Sequence, residues 1–342
     1  MSNAKYVLKW GTPIPNDPLE VVLRAVNEKL IKRTNGEVEI EFHIGVDDKD
    51  KALITMVEDG DLDVVWTMSE DGGKTIGLHH CEAGQLPIWP SGQAGAEFTK
   101  RVVDKYCRPE MEARGATPIV MQFNSCANFD YYTILYYAQV WTKEKYNSLE
   151  DLKGKKIFCQ HGTTAAAMGA LGAIPVTCTY LYVPDYLHDG TIDGVCMSSM
   201  SMLGLNLQDE LNCCFTVNYP QTEDNFSLFN KKKWESMPQE YRDIVLEEWR
   251  GWEMAVDRLP MYYKALEYWD AREKAGTFKR IRLTPSQQEM CDKIFYEECV
   301  HAWIQRHEYA GMKDAREYIE DLQKMAAEVI ATGLPQYLGP RL

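Results

Sequence analysis

The chain has no apolar run of about 18 residues, the length a membrane-spanning helix needs, so nothing in it reads as crossing a bilayer. It is poor in positive charge, with 37 Lys and Arg against 51 Asp and Glu and a formal net charge of −14. That balance argues against nucleic acid, which wants basic patches, and against electrostatic docking on an anionic membrane; it suits a soluble surface. Catalytic signatures are missing too. There is no P-loop, no G-x-G-x-x-G after a strand, no H-E-x-x-H and no G-x-S-x-G. The ten cysteines form no C-x-x-C pair and no zinc spacing, and Cys213-Cys214 are neighbours, which rarely bridge. Cys159, Cys178 and Cys196 fall in predicted strands, where the thiol acts as a small hydrophobe. Disulfides in an oxidising compartment and free thiols both remain open. His79-His80-Cys81 reads as a solvated loop, or as a metal site that lacks a third ligand cluster. Low-complexity segments and floppy linkers are absent, and no secretory signal precedes the first strand, which is compatible with a processed mature form.

What is present is organised around Ser148 to Met197. Ser148 and Asp151 have the form of a capping box, and Gly154 stops the short turn that follows. Lys156 to Gln160 reads as a buried strand and Gly162-Thr163-Thr164 opens a small-residue helix. Ile174 to Tyr180 is a second strand, Asp185 to His188 a short helix and Thr191 to Cys196 a third strand. This β-α-β-α-β order predicts a parallel sheet, whose carboxyl edge is where ligands bind in open α/β folds.

The first part of the chain repeats that grammar. Strands are expected at Tyr6–Gly11, at Val38–His43 and in GDLDVVW, with helices at Leu19–Thr34 and Lys49–Glu58. Asp59-Gly60-Asp61-Leu62-Asp63-Val64-Val65 parallels Asp189-Gly190-Thr191-Ile192-Asp193-Gly194-Val195, 130 positions later. Two similar α/β lobes explain the repeat most simply. The identical context of Asp63 and Asp193 points to a structural hydrogen-bonding role, not to paired catalytic carboxylates. A helix is expected at Glu97–Arg114, a strand at Pro118–Phe123, and crossing strands at Tyr131–Thr142 and Phe226–Asn230. Pro238 opens a long helix that Pro260 should kink or break, and helices follow at Pro285–Arg306 and Lys313–Ile330. Of the nine tryptophans, Trp249, Trp252 and Trp269 belong to that long helix, while Trp66 and Tyr180, at predicted strand ends, should face a cleft.

Taken in order, LITMVEDGDLDVVW, SLEDLKGKKI, AMGALGAIPV, DGTIDGV and NKKKWESMPQEY, with the opening strand and Pro15, resemble the extracytoplasmic solute-binding proteins of TRAP (tripartite ATP-independent periplasmic) transporters. The resemblance covers nearly the whole chain. It implies an α/β, two-lobed periplasmic binding protein fold (type II-like) with hinge strands and a long helix bracing both lobes. Lobe 1 would hold 1–130 plus 217–255 and lobe 2 would hold 131–216 plus 256–342. It also implies no catalysis and no cofactor, a periplasmic mature form without its signal peptide, and delivery of a small-molecule ligand to a TRAP membrane permease, with no nucleic acid and no membrane insertion.

Against the family pattern, the arginine expected directly after K-I, which pairs a substrate carboxylate, is Phe158 here. The asparagine after D-G falls on Met197, and a frequent second cation position lies near the acidic Asp130. Either the ligand is not a simple acid, or its carboxylate is held elsewhere, for example by N–H groups at Gly162-Thr163-Thr164, Gln160 or Asn218. The reading is a flat aromatic or apolar-bodied acid or amino-acid-like ligand stacked near Trp66, Phe158 and Tyr180, with hinge closure over it. Thr12, Trp66, Met68 and Ser69 would contribute from lobe 1, and Phe158, Gln160, Tyr180, Met197 and Ser198 from lobe 2. Asn124, Asn128, Asp130, Asn218 and Asn225 lie near the crossings. A ligand-sensing protein feeding a receptor, an enzyme on the same plan, and a binding protein of an ATP-driven importer are the alternatives.

Overall fold

The computed structural model describes residues 4–12, 18–47, 51–68, 79–88, 90, 92–122, 137–178, 182–220, 225–253 and 258–334. The first half of the chain forms β1 (Tyr6–Thr12), α1 (Pro18–Arg33), β2 (Val38–Ile44), α2 (Leu53–Asp59), β3 (Val64–Met68), α3 (Gly92–Val102), α4 (Arg108–Ala113) and β4 (Ala116–Gln122). Then come β5 (Tyr137–Thr142), β6 (Lys156–Cys159), α5 (Gly162–Ala170), β7 (Ile174–Val176), α6 (Val183–Asp189), β8 (Gly194–Met197), α7 (Ser199–Gly204) and β9 (Cys213–Pro220). The chain continues with β10 (Asn225–Asn230), α8 (Lys231–Ser236), α9 (Gln239–Glu253), α10 (Arg258–Lys274), β11 (Lys279–Arg282), α11 (Pro285–Tyr309) and α12 (Ala315–Ala331).

Two compact units result. Unit 1 comprises Met1–Glu82, Thr99–Gln122 and Asp224–Val256, and unit 2 comprises Ala83–Phe98, Phe123–Glu223 and Asp257–Leu342. Among the described residues, the sequence-based division differs at 83–98 and at 217–220. The latter residues complete β9, which pairs with β5, and so belong with unit 2.

The unit 1 sheet has the order β2-β1-β3-β10-β4, and the unit 2 sheet β11-β9-β5-β8-β6-β7. In each, three strands are parallel as the β-α-β reading predicts: β1 with β2 and β3, β6 with β7 and β8. The sheets are nevertheless mixed. β10 runs antiparallel to β3 and β4, and β5 antiparallel to β8 and β9.

The repeated D-G-x-x-D segment builds the same device twice. Gly60 and Gly190 end α2 and α6 in the left-handed region, at φ 85° and 80°, where a side chain would be strained. Three residues later the aspartate latches onto the neighbouring parallel strand. The Lys9 N–H donates to Asp63 Oδ2 at 3.0 Å while the Asp63 N–H donates to the Lys9 carbonyl at 2.9 Å. The Lys156 N–H donates to Asp193 Oδ2 at 2.8 Å and the Asp193 N–H to the Lys156 carbonyl at 2.8 Å. Both carboxylates sit where β3 and β8 begin, so their work is structural.

Each unit has its own apolar core. In unit 1, Leu8, Trp10, Leu23, Leu30, Val38, Ile40, Val64, Phe229 and Trp249 pack together, and the Trp249 Nε1–H donates to Ser227 Oγ at 2.8 Å. In unit 2 the cluster is Trp141, Phe158, Val183, Leu187, Ile192, Val195, Met197, Met202, Leu207, Leu211, Cys214, Trp269 and Phe278. The expected 97–114 helix begins earlier, at Gly92, and is interrupted by a π-helical turn at Val103–Cys107 before α4. Pro109 has no N–H to give the carbonyl four residues back, so the helix widens there. The long helix appears as α9 and α10, on either side of residues 254–257, which lie outside the described residues. Pro260 falls in the first turn of α10, where its missing N–H costs nothing.

Candidate functional site

In unit 2 the carboxyl ends of the parallel strands collect the candidate residues. β6 ends at Cys159; the half-buried Gln160 follows, and His161 precedes α5 with extended backbone and no side-chain cap. The positive end of that helix therefore lies at the sheet's carboxyl edge, the place where open α/β sheets hold anions. β8 ends at Met197, and Ser198 caps α7: its Oγ accepts from the Ser201 N–H at 3.4 Å and lies 2.9 Å from Ser201 Oγ. β5 and β9 reach the same edge through Gln139, paired with Met197, and through Asn218.

Three of the expected ligand contacts are corrected by this geometry. Phe158 is not a wall for a ligand: its ring is completely buried in the unit 2 core, because β6 lies between two strands with both faces covered. Met197 is buried in the same cluster, and its carbonyl accepts the Trp141 Nε1–H at 2.9 Å. Asn218 is committed to a strand irregularity. It sits at φ 49° where the β5–β9 register shifts, its N–H donates to Gln139 Oε1 at 2.9 Å, and its Oδ1 accepts from Gln139 Nε2 at 2.7 Å. Its Nδ2 donates to Gln288 Oε1 at 3.1 Å, and Gln288 Nε2 in turn donates to the Val217 carbonyl at 2.8 Å. The Asn218 N–H is thus already used and unavailable to a ligand carboxylate.

Unit 1 presents a similar edge. Thr12 ends β1 and is buried, its carbonyl taking the Val46 N–H at 3.0 Å. Met68 ends β3 and is in register with Asn225 of β10, which is itself in register with Gln122 at the end of β4. Trp66, one turn of pleat before Met68, is half-buried and packs on the unit 1 core. Ser69, Asn124, Asn128, Asp130 and Tyr180 lie outside the described residues. Gln139 and Gln288 were not legible as site neighbours: their partner Asn218 is 79 and 70 residues away in sequence, and no local pattern announces the network.

At the start of α5 the backbone donors lie beside a guanidinium: Arg306 Nη1 is 3.7 Å from the position a Cβ on Gly162 would take. Burial pushes the Cys159 thiol up to about 12, so it stays protonated and apolar. Burial, with Cys299 close by, holds the Tyr219 phenol well above its ordinary range. Among the described residues no group of three or more His, Cys, Asp or Glu side chains is placed to hold a metal ion. The His79-His80-Cys81 run is engaged otherwise: the His80 N–H donates to Glu110 Oε2 at 3.1 Å, the Cys81 thiol points to the same oxygen at 3.7 Å, and the His80 ring stacks on Tyr106.

Comparison with protein families gives a match to the model for bacterial extracellular solute-binding proteins, family 7 (DctP), over residues 13–294. The chain belongs to solute-binding protein family 7. Solved structures share its fold. A TRAP periplasmic solute-binding protein from Desulfovibrio salexigens with bound orotic acid aligns with a TM-score of 0.70 at 17% identity, over 95% of this chain and 100% of that one. A marine metagenome TRAP solute-binding protein specific for aromatic acid ligands, in complex with metahydroxyphenylacetate, aligns with 0.69 at 20% identity, over 95% and 99%. One from Roseobacter denitrificans with bound β-D-glucuronate gives 0.65 at 16% identity, over 93% and 99%. Comparison with curated proteins gives no match. At these identities the likeness establishes the two-lobed α/β fold of family 7 proteins and leaves the ligand open. Family 7 members are binding proteins, not enzymes. They are extracytoplasmic, and among the described residues no helix is long and apolar enough to cross a membrane.

Proposed function

We propose that this chain is the periplasmic solute-binding component of a TRAP transporter, capturing a small organic acid with a flat aromatic or apolar body and passing it to the membrane permease. The family match over residues 13–294 carries the role. The ligand class rests on the position where relatives are expected to place a carboxylate-pairing arginine. It holds Phe158, sealed in the core, so a carboxylate at that edge would meet neutral donors together with Arg306, whose Nη1 lies 3.7 Å from the Cβ position of Gly162. The uncapped end of α5 and Gln160 supply such donors, and Ser198 lies beside them. Thr12, Trp66, Met68 and Ser69 would form the unit 1 contribution and Tyr180 would add to that of unit 2, with Asn124, Asn128, Asp130 and Asn225 near the crossings. Aromatic acids as ligands of one similarly folded protein, and orotate, a flat ring acid, in another support the reading; the glucuronate-bound protein defines its rival.

The test is a thermal-shift screen over benzoate, 3-hydroxyphenylacetate, aromatic amino acids, orotate, glucuronate and aliphatic dicarboxylates. A ligand present at 100 times its Kd stabilises by about 2.7 kcal/mol, a shift that is easily read. Stabilisation by ring-bearing acids is expected. Stabilisation only by dicarboxylates or sugar acids would mean that an anion site persists without the arginine, and the ligand assignment would fall.

A further inference from the structure

Burial of Phe158 removes one aromatic wall, yet the same sheet edge carries another. β7 runs parallel to β6, with Val176 level with Phe158, so the carboxyl end of β7 lies at the same sheet edge as that of β6. α6 then leads back to the opposite edge. Its far end is fixed there by the Ile192 N–H donating to the Tyr186 carbonyl at 3.0 Å and by Lys143 Nζ donating to the Leu187 carbonyl at 2.8 Å. A seven-residue helix is about 10 Å long, which returns its first residue to the level of the strand ends. Immediately before it, at the N-cap, is Tyr182. It is 54% exposed, an unusual state for so large a ring, and it stacks on Tyr186 with centroids 6.2 Å apart and planes 18° from parallel. Tyr186 is half-buried against the unit 2 core, and a proline in the first turn of α6 stiffens the backbone beneath both. One face of the pair is therefore anchored and the other is open to solvent.

We propose that Tyr182, backed by Tyr186, is the aromatic platform of the unit 2 half-site and selects ring-bearing ligands by extending this stack to a third ring. The inference rests on the ligand class proposed above.

The experiment measures Kd by isothermal titration for 3-hydroxyphenylacetate, benzoate and glucuronate with the wild-type chain, Tyr182→Ala and Tyr182→Phe. Loss of one stacked ring pair corresponds to roughly a two- to tenfold weakening. Tyr182→Ala is expected to weaken the two aromatic acids by that factor and to leave glucuronate binding, where present, unchanged. Tyr182→Phe is expected to keep wild-type affinity, since the ring and not the hydroxyl acts. Unchanged aromatic affinity in Tyr182→Ala, or equal weakening of all three probes, overturns the platform while leaving the ligand class standing. Failure of both aromatic acids to bind the wild type overturns the ligand class and the platform together. The exposed position makes a folding defect in either variant unexpected, and an unchanged melting temperature checks this.

Discussion

The two aspartate latches offer a controlled comparison, because the bond is the same and the surroundings differ. Asp63 is 8% exposed, accepts the Lys9 N–H at 3.0 Å and has Lys233 Nζ 3.5 Å from the same oxygen. Asp193 makes the equivalent bond to Lys156, at 2.8 Å, within reach of solvent. A hydrogen bond to a charged group contributes ~1.5–3 kcal/mol, and a buried N–H stripped of its partner costs a further ~1–3 kcal/mol. Asp63→Ala should therefore destabilise unit 1 by about 3 kcal/mol. In Asp193→Ala water takes over the freed N–H, and the loss should be about 1 kcal/mol. Native-state hydrogen exchange read by mass spectrometry separates the two sheets. Exchange through opening of the β1–β3 sheet should accelerate roughly a hundredfold in Asp63→Ala, and that of β6–β8 only about fivefold in Asp193→Ala. Asp63→Asn, which keeps an acceptor oxygen but not the charge, should fall between wild type and Asp63→Ala. Equal acceleration in the two alanine variants, or a larger effect at Asp193, would refute the argument that burial sets the cost of an otherwise identical bond.

Other outcomes follow from the same structure. Phe158→Ala should cost about 3–5 kcal/mol in urea unfolding, as for a fully buried aromatic side chain, and Phe158→Arg should fail to fold instead of gaining an anion site. In the native protein, a thiol-reactive disulfide reagent at pH 8 should leave Cys159, Cys196, Cys214 and Cys299 untouched, since burial pushes all four thiols up, Cys159 and Cys299 to about 12. Among the described cysteines, peptide mapping should find the half-exposed Cys178 modified first, and denaturant should release the buried ones. Burial pushes the Glu248 carboxyl up, but hydrogen bonds from Arg33 and Lys29 outweigh it and the net value lies below the ordinary one. With its folded value depressed, the stability it gives the α1–α9 contact is complete above the unfolded carboxylate range and is lost as pH falls through the lower folded value. Urea midpoints measured from pH 6 to pH 3 should fall less steeply in Glu248→Gln than in the wild type.

Much of the fold was legible because local signals agreed. Glycine-terminated helices, the Ser148–Asp151 capping box and apolar runs bounded by turns placed β1–β3, α5, α6 and β8 within a few residues. The antiparallel members were harder. The direction of β5 and β10 is set by partners far away in sequence, and a β-rich run carries no arrow. The site was less legible for a related reason. Strand alternation distinguishes inside from outside only when one face is wet; β6 is covered on both, so Phe158 and its neighbours Ile157 and Cys159 are all buried. Asn218 looked like a ligand group because a polar residue near a strand crossing is unexpected, but the amides that occupy it come from β5 and α11. Tyr182 has no signature of its own in the sequence, because it lies among Tyr180, Leu181, Val183 and Tyr186 and nothing local marks its ring as exposed.

The latches also bear on how such a protein changes ligand over evolutionary time. They clamp the strands at the end where β3 and β8 begin, while the groups proposed for recognition sit where β6, β7 and β8 run out. A substitution at the recognition end leaves the clamp at the other end intact. Loops there can be traded, lengthened or recoloured with little penalty to folding, so one scaffold can serve many solutes while its fastening stays the same.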